Sequence, residues 1–404
     1  MPHQNIVFHG LLKPIPWAMF DDLVDQYGAD RDDRGIKCKA HLIALLLAQF
    51  SGARGLREIE ASLKSHASKL YHLGACTISR SALSTANSSR AAAEVFGGLL
   101  STLMMQLQAG YRRKVKDCVR LIDSTSVRLS SLSGDWATFS TGICGAKAHI
   151  IYDPDADQPL YLMVTAANVN DITAAQQMPI EAGATYVFDL GYYDYGWWAL
   201  LDAAGCRIVT RLKTNTPFAV VEERPVPAGT SILSDRTGHL PTRLAASRRN
   251  PMSKLVREIQ VMIETGKILR IFTNDLEASA QEIADLYRRR WAIELFFRWV
   301  KQTLKIGHFF GTSETAVRIQ ITVALIAFLL LRLAYDTTRI VKSPLAFAQL
   351  IKINLMHRRA IGALLKSSPP PVSDQPQFDF RPAATRAVQR RRHLRASLPT
   401  AEAA

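Results

Sequence analysis

The pattern of apolar and polar positions along the chain changes character near residue 110. Before that point, apolar residues recur at helical spacing in four segments: residues 20–28, 41–52, 55–65 and 79–107. Ser79 or Ser81 is expected to cap the first turn of the last segment. The pattern predicts an all-α region over residues 1–110, which is either a helix-turn-helix-like DNA-binding domain or a plain helical packing domain.

From residue 115 onward, short apolar runs have the texture of β-strands. They predict six strands, at residues 118–123, 126–131, 146–152, 159–165, 185–189 and 206–211. Helical segments are predicted near Thr173–Ala182 and Tyr195–Ala204. Three strands, followed by strand and helix in alternation, with an acid on the first strand, are the order of a ribonuclease H-like α/β core.

Residues 212–278 interrupt this core with Pro and Gly turns and at least two alternating strands, in KLVREIQVMIE and KILRIFT. A helix is then predicted from Ser279 to about Gly311, and the apolar helix after it should pack under the sheet. The predicted core therefore comprises residues 115–211 and 279–345. Residues 367–404 contain a Pro-rich linker, SSPPPVSDQPQ, and a basic tail, RAVQRRRHLRAS, which we expect to be disordered and to bind DNA electrostatically.

The helix predicted from Ser279 carries an unusual polar set in the stretch YRRRWAIELFFRWVK. Its members are Tyr287, Arg290, Glu294 and Lys301. The intervals of three, four and seven residues keep all four near one helix face. One acid flanked by two cations and a phenol suits a site in which the acid holds a metal and its neighbours hold a phosphate. The alternative is a solvated helix face with ordinary i,i+4 ion pairs.

Two further acids end apolar, strand-like runs. Asp123 ends the run CVRLID, and Asp189 ends the run ATYVFD. Such an acid is unfavourable at the end of a buried strand unless it is paired or binds a metal. Asp123, Asp189 and Glu294 are therefore predicted to be the catalytic residues and to bind Mg²⁺, for which Mn²⁺ would substitute. Asp171 and Asp194 end no apolar run, so we interpret both as structural or supporting residues.

With these segments in view, the chain resembles the DDE transposases of bacterial insertion sequences, in the branch marked by a Y-(2)-R-(3)-E-(6)-K signature (the insertion-sequence-four family). The four residues of the polar helix face match that signature without a gap. LIDSTSVRL resembles the family's first-Asp segment and VFDLGYYDY its second. The likeness is strong over residues 115–335 and weaker over the first hundred residues.

The resemblance implies an enzyme that binds the ends of an insertion sequence and catalyses metal-dependent DNA cleavage and strand transfer, as a homodimer when synapsed on DNA. It implies that Tyr287 and Arg290 hold the cut DNA end. Lys301 suits a phosphate contact, and Lys213 is a candidate DNA contact, whereas Lys147 and His149 are expected to be structural. A ribonuclease H-like nuclease without strand transfer and a non-catalytic DNA-binding regulator are the alternative functions.

The resemblance also implies that residues 212–278 form the β-strand insertion of this branch. In the family, an aromatic residue on the insertion stacks on a flipped base and helps a hairpin intermediate. Here the segment contains no Trp, and Phe218 is the only comparable ring before Phe272. We therefore do not predict a hairpin intermediate for this protein, although the resemblance implies one for the family.

Composition supports a polyanionic partner, for which we expect double-stranded DNA. The 404 residues include 50 Lys and Arg against 35 Asp and Glu, a net charge of +15. The longest apolar stretch, Ile321 to Leu331, is too short to span a membrane and predicts a buried helix. The start, MPHQNIVFHG, lacks a signal-peptide pattern, and the five Cys residues are isolated, as in a reducing compartment. We therefore expect a cytoplasmic, nucleoid-associated protein.

Overall fold

The computed structural model describes residues 6–31, 35–109, 118–226, 228–245, 248–304 and 309–365. The predicted linker and basic tail at residues 367–404 lie outside the described residues.

The N-terminal region is helical, as predicted. Its helices are α1 (Val7–Leu12), α2 (Trp17–Tyr27), α3 (Cys38–Ser51), α4 (Leu56–Ser65), α5 (Ala67–Leu70), α6 (Arg80–Ala86) and α7 (Arg90–Ala109). Ser79 caps α6, because its hydroxyl accepts from the Ala82 N–H at 3.2 Å. The single helix predicted over residues 79–107 is split at Asn87, whose side chain bonds the buried His41 at 2.8 Å. The helix is thus interrupted where the Asn87 side chain bonds a residue of α3.

The strands form one large mixed sheet and a small two-stranded sheet. They are β1 (Val119–Leu129), β2 (Thr138–Ser140), β3 (Ile143–Asp153), β4 (Gln158–Ala166), β5 (Thr185–Phe188), β6 (Arg207–Arg211), β7 (Ala219–Arg224), β8 (Ile232–His239), β9 (Arg243–Ala245), β10 (Arg248–Arg249), β11 (Val256–Met262) and β12 (Ile268–Thr273). Strands β9 and β10 form the small sheet.

The core strands lie in the order β4-β3-β1-β5-β6. Strand β3 is antiparallel to both β1 and β4, whereas β5 is parallel to both β1 and β6. Antiparallel strands followed by parallel strands with crossover connections give the ribonuclease H-like α/β arrangement, and this prediction is confirmed.

Strand β1 corrects one prediction. The two strands expected at residues 118–123 and 126–131 are one continuous strand, so Asp123 lies inside β1 and not at its end. The polar residues Ser124 and Ser126 still pair with β3, opposite His149 and Lys147. The polar residues that follow Asp123 belong to a continuous strand that crosses a polar site. In the sequence they interrupt the apolar pattern and so suggest a break between two strands.

Residues 212–278 do contain strands, and four of them extend the core sheet. Strand β12 pairs antiparallel with β6, and the order continues β12-β11-β8-β7. Two buried ion pairs bind side chains across these strands: Arg257 contacts Asp235 at 2.7 Å, and Arg270 contacts Glu258 at 2.8 Å. The segment is thus bonded to the core along its backbone.

The remaining helices are α8 (Gly134–Ala137), α9 (Asp171–Ala175), α10 (Tyr195–Ala203), α11 (Ala280–Arg289), α12 (Trp291–Thr303), α13 (Glu314–Thr338) and α14 (Pro344–Asn354). Helix α13 contacts α3, α7 and β4, and so joins the N-terminal helices to the sheet. It is long and apolar enough to cross a membrane, but 83% of its most apolar window is buried inside the protein. The expectation that the apolar stretch is too short to span is wrong for the whole helix, whereas the prediction that the helix is buried is confirmed.

The helix that carries the signature residues differs from its prediction. A single helix from Ser279 to about Gly311 was expected, but the helix is interrupted at Arg290 and α12 ends at Thr303. The Arg290 N–H donates to the Tyr287 carbonyl at 3.1 Å, and the Ile293 N–H donates to the Arg290 carbonyl at 3.3 Å. These i→i−3 bonds tighten one turn. No Pro or Gly marks the break, so the sequence gives no local signal for it.

Candidate active site

Asp123 occupies the centre of the sheet, because β1 is bonded to β3 on one side and to β5 on the other. Its Oδ1 accepts from the Ser124 N–H at 2.8 Å, and its Oδ2 lies 3.6 Å from Nη1 of Arg290. Burial raises the pKa of Asp123 to about 7, and the charges of Asp189 and Glu294 add to this rise against the opposing effects of Ser124 and Arg290. The carboxyl therefore lies in an electrostatic environment that disfavours its negative charge.

Asp189 reaches the same place by strand register. Strands β1 and β5 are parallel, and Ile122 pairs with Phe188, so the next residues, Asp123 and Asp189, leave this pair on the same side. Asp189 accepts from the Gly191 N–H at 2.8 Å and thereby caps a short 3₁₀ turn over Leu190–Tyr192. Its carboxylate is held by the backbone of the turn it begins.

Glu294 comes from the first turn of α12, which packs against β1. Its Oε1 accepts from Nη2 of Arg290 at 2.5 Å. The three predicted acids, far apart in sequence, are thus near enough for the charges of two of them to act on the pKa of the third. Arg290 lies between Asp123 and Glu294.

The chemistry of this donor set suits a hard divalent cation, because it consists only of carboxylate oxygens around a carboxyl that repels its neighbours. Within the described ranges, no three His, Cys, Asp or Glu side chains are already arranged to hold an ion. Arg290 supplies the positive charge in this arrangement. The role of the three acids as metal ligands therefore stays a prediction.

Tyr287 and Arg290 lie together, and the Arg290 guanidinium carbon is 5.9 Å from the centre of the Tyr287 ring. Tyr287 is only 8% exposed, and burial raises its pKa. Lys301 projects from an exposed position of α12, two turns after Glu294. Tyr287, Arg290 and Glu294 are thus grouped at the interrupted turn, with Lys301 further along the same helix.

Lys213 lies at the start of the loop that follows β6, with Nζ 4.5 Å from the centre of the Tyr193 ring. Arg270 holds this loop, because its Nη1 donates to the carbonyls of Lys213, Thr214 and Thr216 at 2.9–3.0 Å. Sequence reasoning missed Arg270. An Arg inside an alternating strand carries no signal that it binds a loop more than fifty residues earlier.

Asp171 contacts residues that adjoin the predicted acids. Its Oδ1 accepts from the Ser124 hydroxyl at 2.7 Å and from Lys147 Nζ at 3.2 Å, and lies 3.7 Å from Nδ1 of the buried His149. A Cβ placed on Gly191 would lie 3.1 Å from Asp171 Oδ2 and 3.0 Å from Asp189 Oδ1, so both oxygens border the same glycine. Asp171 thus contacts the neighbours of both strand acids.

The other residues judged structural from sequence have structural contacts. Asp194 accepts from the Trp197 N–H at 2.7 Å and caps α10. Lys147 also donates to the Val169 carbonyl at 3.0 Å, and His149 bonds Thr165 at 2.9 Å. Burial lowers the pKa of His149 to about 4, so its ring is neutral near pH 7.

The two rings of the strand-rich segment are both packed inward. Phe272 is fully buried and stacks on Trp198, with ring centres 4.7 Å apart. Phe218 is partly buried against the same apolar cluster. Phe272 is therefore closed to a base, whereas Phe218 keeps part of its surface exposed.

A cleft of about 920 Å³ opens beside Tyr287 and Arg290. One wall is the hairpin of β11 and β12, and the other is formed by α11 and the start of α12. Its lining includes the cations Arg211, Lys267 and Arg288 and the half-exposed Trp291. A cationic cleft with apolar walls next to an acidic cluster is suited to a nucleic-acid strand.

Fold and site together define a ribonuclease H-like protein with an acidic centre. The family model described as a transposase DDE domain matches residues 114–330, and a model described as a domain of unknown function matches residues 3–76. The chain belongs to the DDE transposases, a class of metal-dependent enzymes that cleave and transfer DNA.

Relatives agree with this family. A putative transposase of Sinorhizobium fredii is 41% identical over 295 residues, which cover 72% of this chain and 81% of the relative. A probable transposase for an insertion sequence element of Geobacillus stearothermophilus is 30% identical over 61% of this chain and 65% of the relative. A piggyBac transposase synaptic complex with hairpin DNA aligns with 99% of this chain and 87% of that chain, at a TM-score of 0.46 and 9% identity. A likeness at that level says nothing about chemistry.

Proposed function

We propose that this transposase acts on the double-stranded ends of an insertion sequence of the Y-(2)-R-(3)-E-(6)-K branch and joins them to target DNA. The observation that carries the proposal is that Arg290 contacts both Asp123 and Glu294, while strand register places Asp189 next to Asp123 on the adjacent parallel strand. A structural ion-pair network would not need two further acids beside a partly buried carboxyl whose pKa is raised to about 7.

Asp123, Asp189 and Glu294 are the proposed ligands of Mg²⁺, with Mn²⁺ as a substitute. Bound there, the cation would activate the attacking water or 3′-hydroxyl and stabilise the leaving oxygen. Burial and the two neighbouring acids raise the pKa of Asp123, and a cation bound there would favour the charged form of this carboxyl. Asp123 is the proposed shared ligand, because the charges of both other acids act on its carboxyl.

DNA contacts are proposed for Tyr287, Arg290, Lys301 and Lys213. Arg290 offers a planar fork that suits a phosphate, and it is already near the acids. Tyr287 restricts the position of that fork through its ring. Lys213 is held in place by Arg270 and Tyr193 at another side of the site. The cleft beside Arg290 is the proposed path of the strand that leaves the cut end.

The proposed domain boundaries are those predicted from the sequence. Residues 1–110 are the proposed domain that binds the element ends, residues 115–211 and 279–345 the catalytic core, residues 212–278 the β-strand insertion, and residues 367–404 a basic tail. We propose that the protein acts as a homodimer when synapsed on DNA, in the cytoplasm on the nucleoid.

The test is Asp123→Asn, which keeps the shape of the side chain and removes its charge. We expect strand cleavage of an element-end duplex in Mg²⁺ to fall about 100-fold or more, because a metal ligand is lost. Duplex affinity in EDTA should stay within a factor of two or so of the unsubstituted protein, since no DNA contact is removed. Asp22→Asn, at an exposed position of α2, is the matched control and should leave cleavage unchanged. Cleavage at a normal rate by Asp123→Asn would overturn the assignment.

Strand transfer separates this proposal from a plain nuclease. A supercoiled target incubated with a pre-cut element end should yield a covalently joined product. Cleavage without any joined product would favour the nuclease, and duplex binding without cleavage would favour a DNA-binding regulator.

A further inference from the structure

A second cavity, far from the acids in sequence, lies within the N-terminal helices. It has a volume of about 320 Å³, and we call it the basic pocket. His9, Lys13, Lys39 and His72 supply its polar lining, and Trp17 and Gly74 belong to its wall. All of these residues fall within residues 3–76, the stretch that matches the domain of unknown function.

The basic pocket concentrates positive charge. None of the described residues that line it carries a carboxylate. Lys39 Nζ lies 4.3 Å from the centre of the Trp17 ring, which holds the ammonium in a defined place. Lys39 is also in the first turn of α3, where the helix dipole disfavours a cation. Asp30 caps that helix end through a 2.6 Å bond from the Cys38 N–H, but it does not line the pocket.

His9 contributes to the basic pocket a polar atom without a hydrogen-bond partner in the described part of the chain. Its pKa is lowered by burial and, next, by the charge of Lys13. Its Nδ1 is shielded from solvent and has no hydrogen-bond partner among the described residues. A shielded polar nitrogen without a partner is unfavourable, and an anion in the pocket would give it one.

The wall beside Lys39 is shaped by Gly74. Its φ is +73°, in the left-handed region, and a Cβ placed on it would lie 3.1 Å from Lys39 Cε. A larger residue would therefore strain the backbone and crowd the Lys39 stem. The absence of a side chain at Gly74 thus leaves room for the Lys39 ammonium group.

We propose that the basic pocket binds a phosphate group, with Lys13 and Lys39 as charge partners and His9 as a hydrogen-bond partner. The pocket volume is at the lower end of the usual range for small ligands, about 300–1,000 Å³, which suits one phosphate and little more. The group is either a phosphodiester of bound DNA, a source that rests on the proposed function, or a free phosphate ion.

The first experiment measures duplex binding by fluorescence anisotropy over a series of KCl concentrations, in EDTA so that no cleavage occurs. The double variant Lys13→Ala/Lys39→Ala is compared with Lys342→Ala/Lys352→Ala, which removes two exposed lysines near and within α14. Loss of one phosphate contact should lower the slope of log K against log salt by about 0.9. The control pair should leave the slope unchanged.

The second experiment measures thermal unfolding in potassium phosphate and in KCl at equal ionic strength. Phosphate should raise the midpoint of the unsubstituted protein more than chloride does. This difference should be smaller in Lys13→Ala/Lys39→Ala than in Lys342→Ala/Lys352→Ala, since phosphate also stabilises folded proteins without a binding site. Lys13→Ala alone, at an exposed position, is the second variant if the double variant does not fold. Lys39→Arg should keep the phosphate effect because it keeps the charge.

The outcomes are distinct. A reduced salt slope in the pocket variant assigns the phosphate to DNA, whereas a normal slope with loss of the phosphate effect assigns it to the free ion. A normal slope together with an unchanged phosphate effect would overturn the proposal. Neither measurement depends on cleavage, so failure of the catalytic assignment to Asp123 would not alter these results.

Discussion

Arg290 donates a hydrogen bond from Nη2 to Oε1 of Glu294, one turn further along the chain, at 2.5 Å. The two residues are separated by the helix break, so the pair joins the end of α11 to the first turn of α12. Arg290 is also 3.6 Å from Asp123. The pair therefore couples the position of a phosphate-binding side chain to the position of a proposed metal ligand.

Arg290→Lys should lower end-specific cleavage by an order of magnitude or more. The substitution keeps the charge but loses the planar fork that contacts two groups at once. The loss corresponds to about 1–3 kcal/mol, as for a broken charge-assisted pair. Cleavage titrated with Mg²⁺ is the measurement, and the Mg²⁺ optimum should not move. A shifted optimum with normal DNA affinity would show that Arg290 acts on the metal and not on phosphate.

Arg318→Lys is the control for that substitution. Arg318 is 50% exposed and pairs across the surface of α13 with Glu314, at 2.6 Å. Exposed pairs of this kind contribute little, so cleavage and stability should be nearly unchanged. A large loss in both variants would mean that the effect of Arg290→Lys does not come from its place beside the acids.

Asp171→Ala should reduce the cleavage rate about tenfold while duplex affinity stays constant, because Ser124 and Lys147 lose their shared partner. The unfolding free energy should fall by about 1–3 kcal/mol. Asp194→Ala removes a helix cap elsewhere and should lower stability by about 1 kcal/mol with normal cleavage. Equal cleavage in the two variants would reduce Asp171 to a purely structural residue.

His41 should make the protein less stable in acid. Burial lowers its pKa to about 4, against the opposing hydrogen bond to Asn87, so the folded protein keeps the ring neutral while the unfolded chain takes up a proton below about 6.5. Stability is then complete above pH 6.5 and declines as pH falls towards 4, by about 3 kcal/mol at most. His41→Gln should flatten this decline in urea unfolding measured across that range. An equally steep decline in the variant would assign the acid sensitivity to other groups.

Deletion of residues 367–404 should flatten the salt dependence of duplex binding and spare cleavage at low salt. The prediction rests on sequence alone, since five Arg residues lie between Arg386 and Arg395. Each phosphate contact contributes about 0.9 to the slope of log K against log salt. A slope equal to that of the full chain would mean that the tail does not touch DNA.

The sequence predicts the acids and the sheet because both depend on local patterns. Apolar runs located β5 and β6, and the acids beside such runs are the ones that strand register brings together. The interruption at Arg290 could not be predicted, since it depends on contacts with Asp123 and Glu294 and not on a helix-breaking residue.

Strands at and near the edge of the sheet could not be predicted from local patterns. All but one of the six residues of β7, at the edge of the sheet, are exposed, so the strand has no apolar alternation that would reveal it. Strand β8 interrupts its alternation with the buried Asp235, whose partner Arg257 lies on β11. A buried ion pair across strands looks like two surface positions in sequence, and only the fold shows that they meet.

The pairing of β12 with β6 decides how this transposase can be recombined with its relatives. If residues 212–278 were exchanged as a block, β12 would come from the donor and β6 from the recipient. The hydrogen bonds between these strands, including the pairing of Ile271 with Arg211, would then have to form between strands of different origin. The tip of the β11–β12 hairpin is a better junction. There the Ile263 N–H donates to the Lys267 carbonyl at 3.0 Å and closes a turn that faces the cleft. Exchange of residues 263–267 alone would change the cleft wall and leave every strand pair of the sheet unchanged.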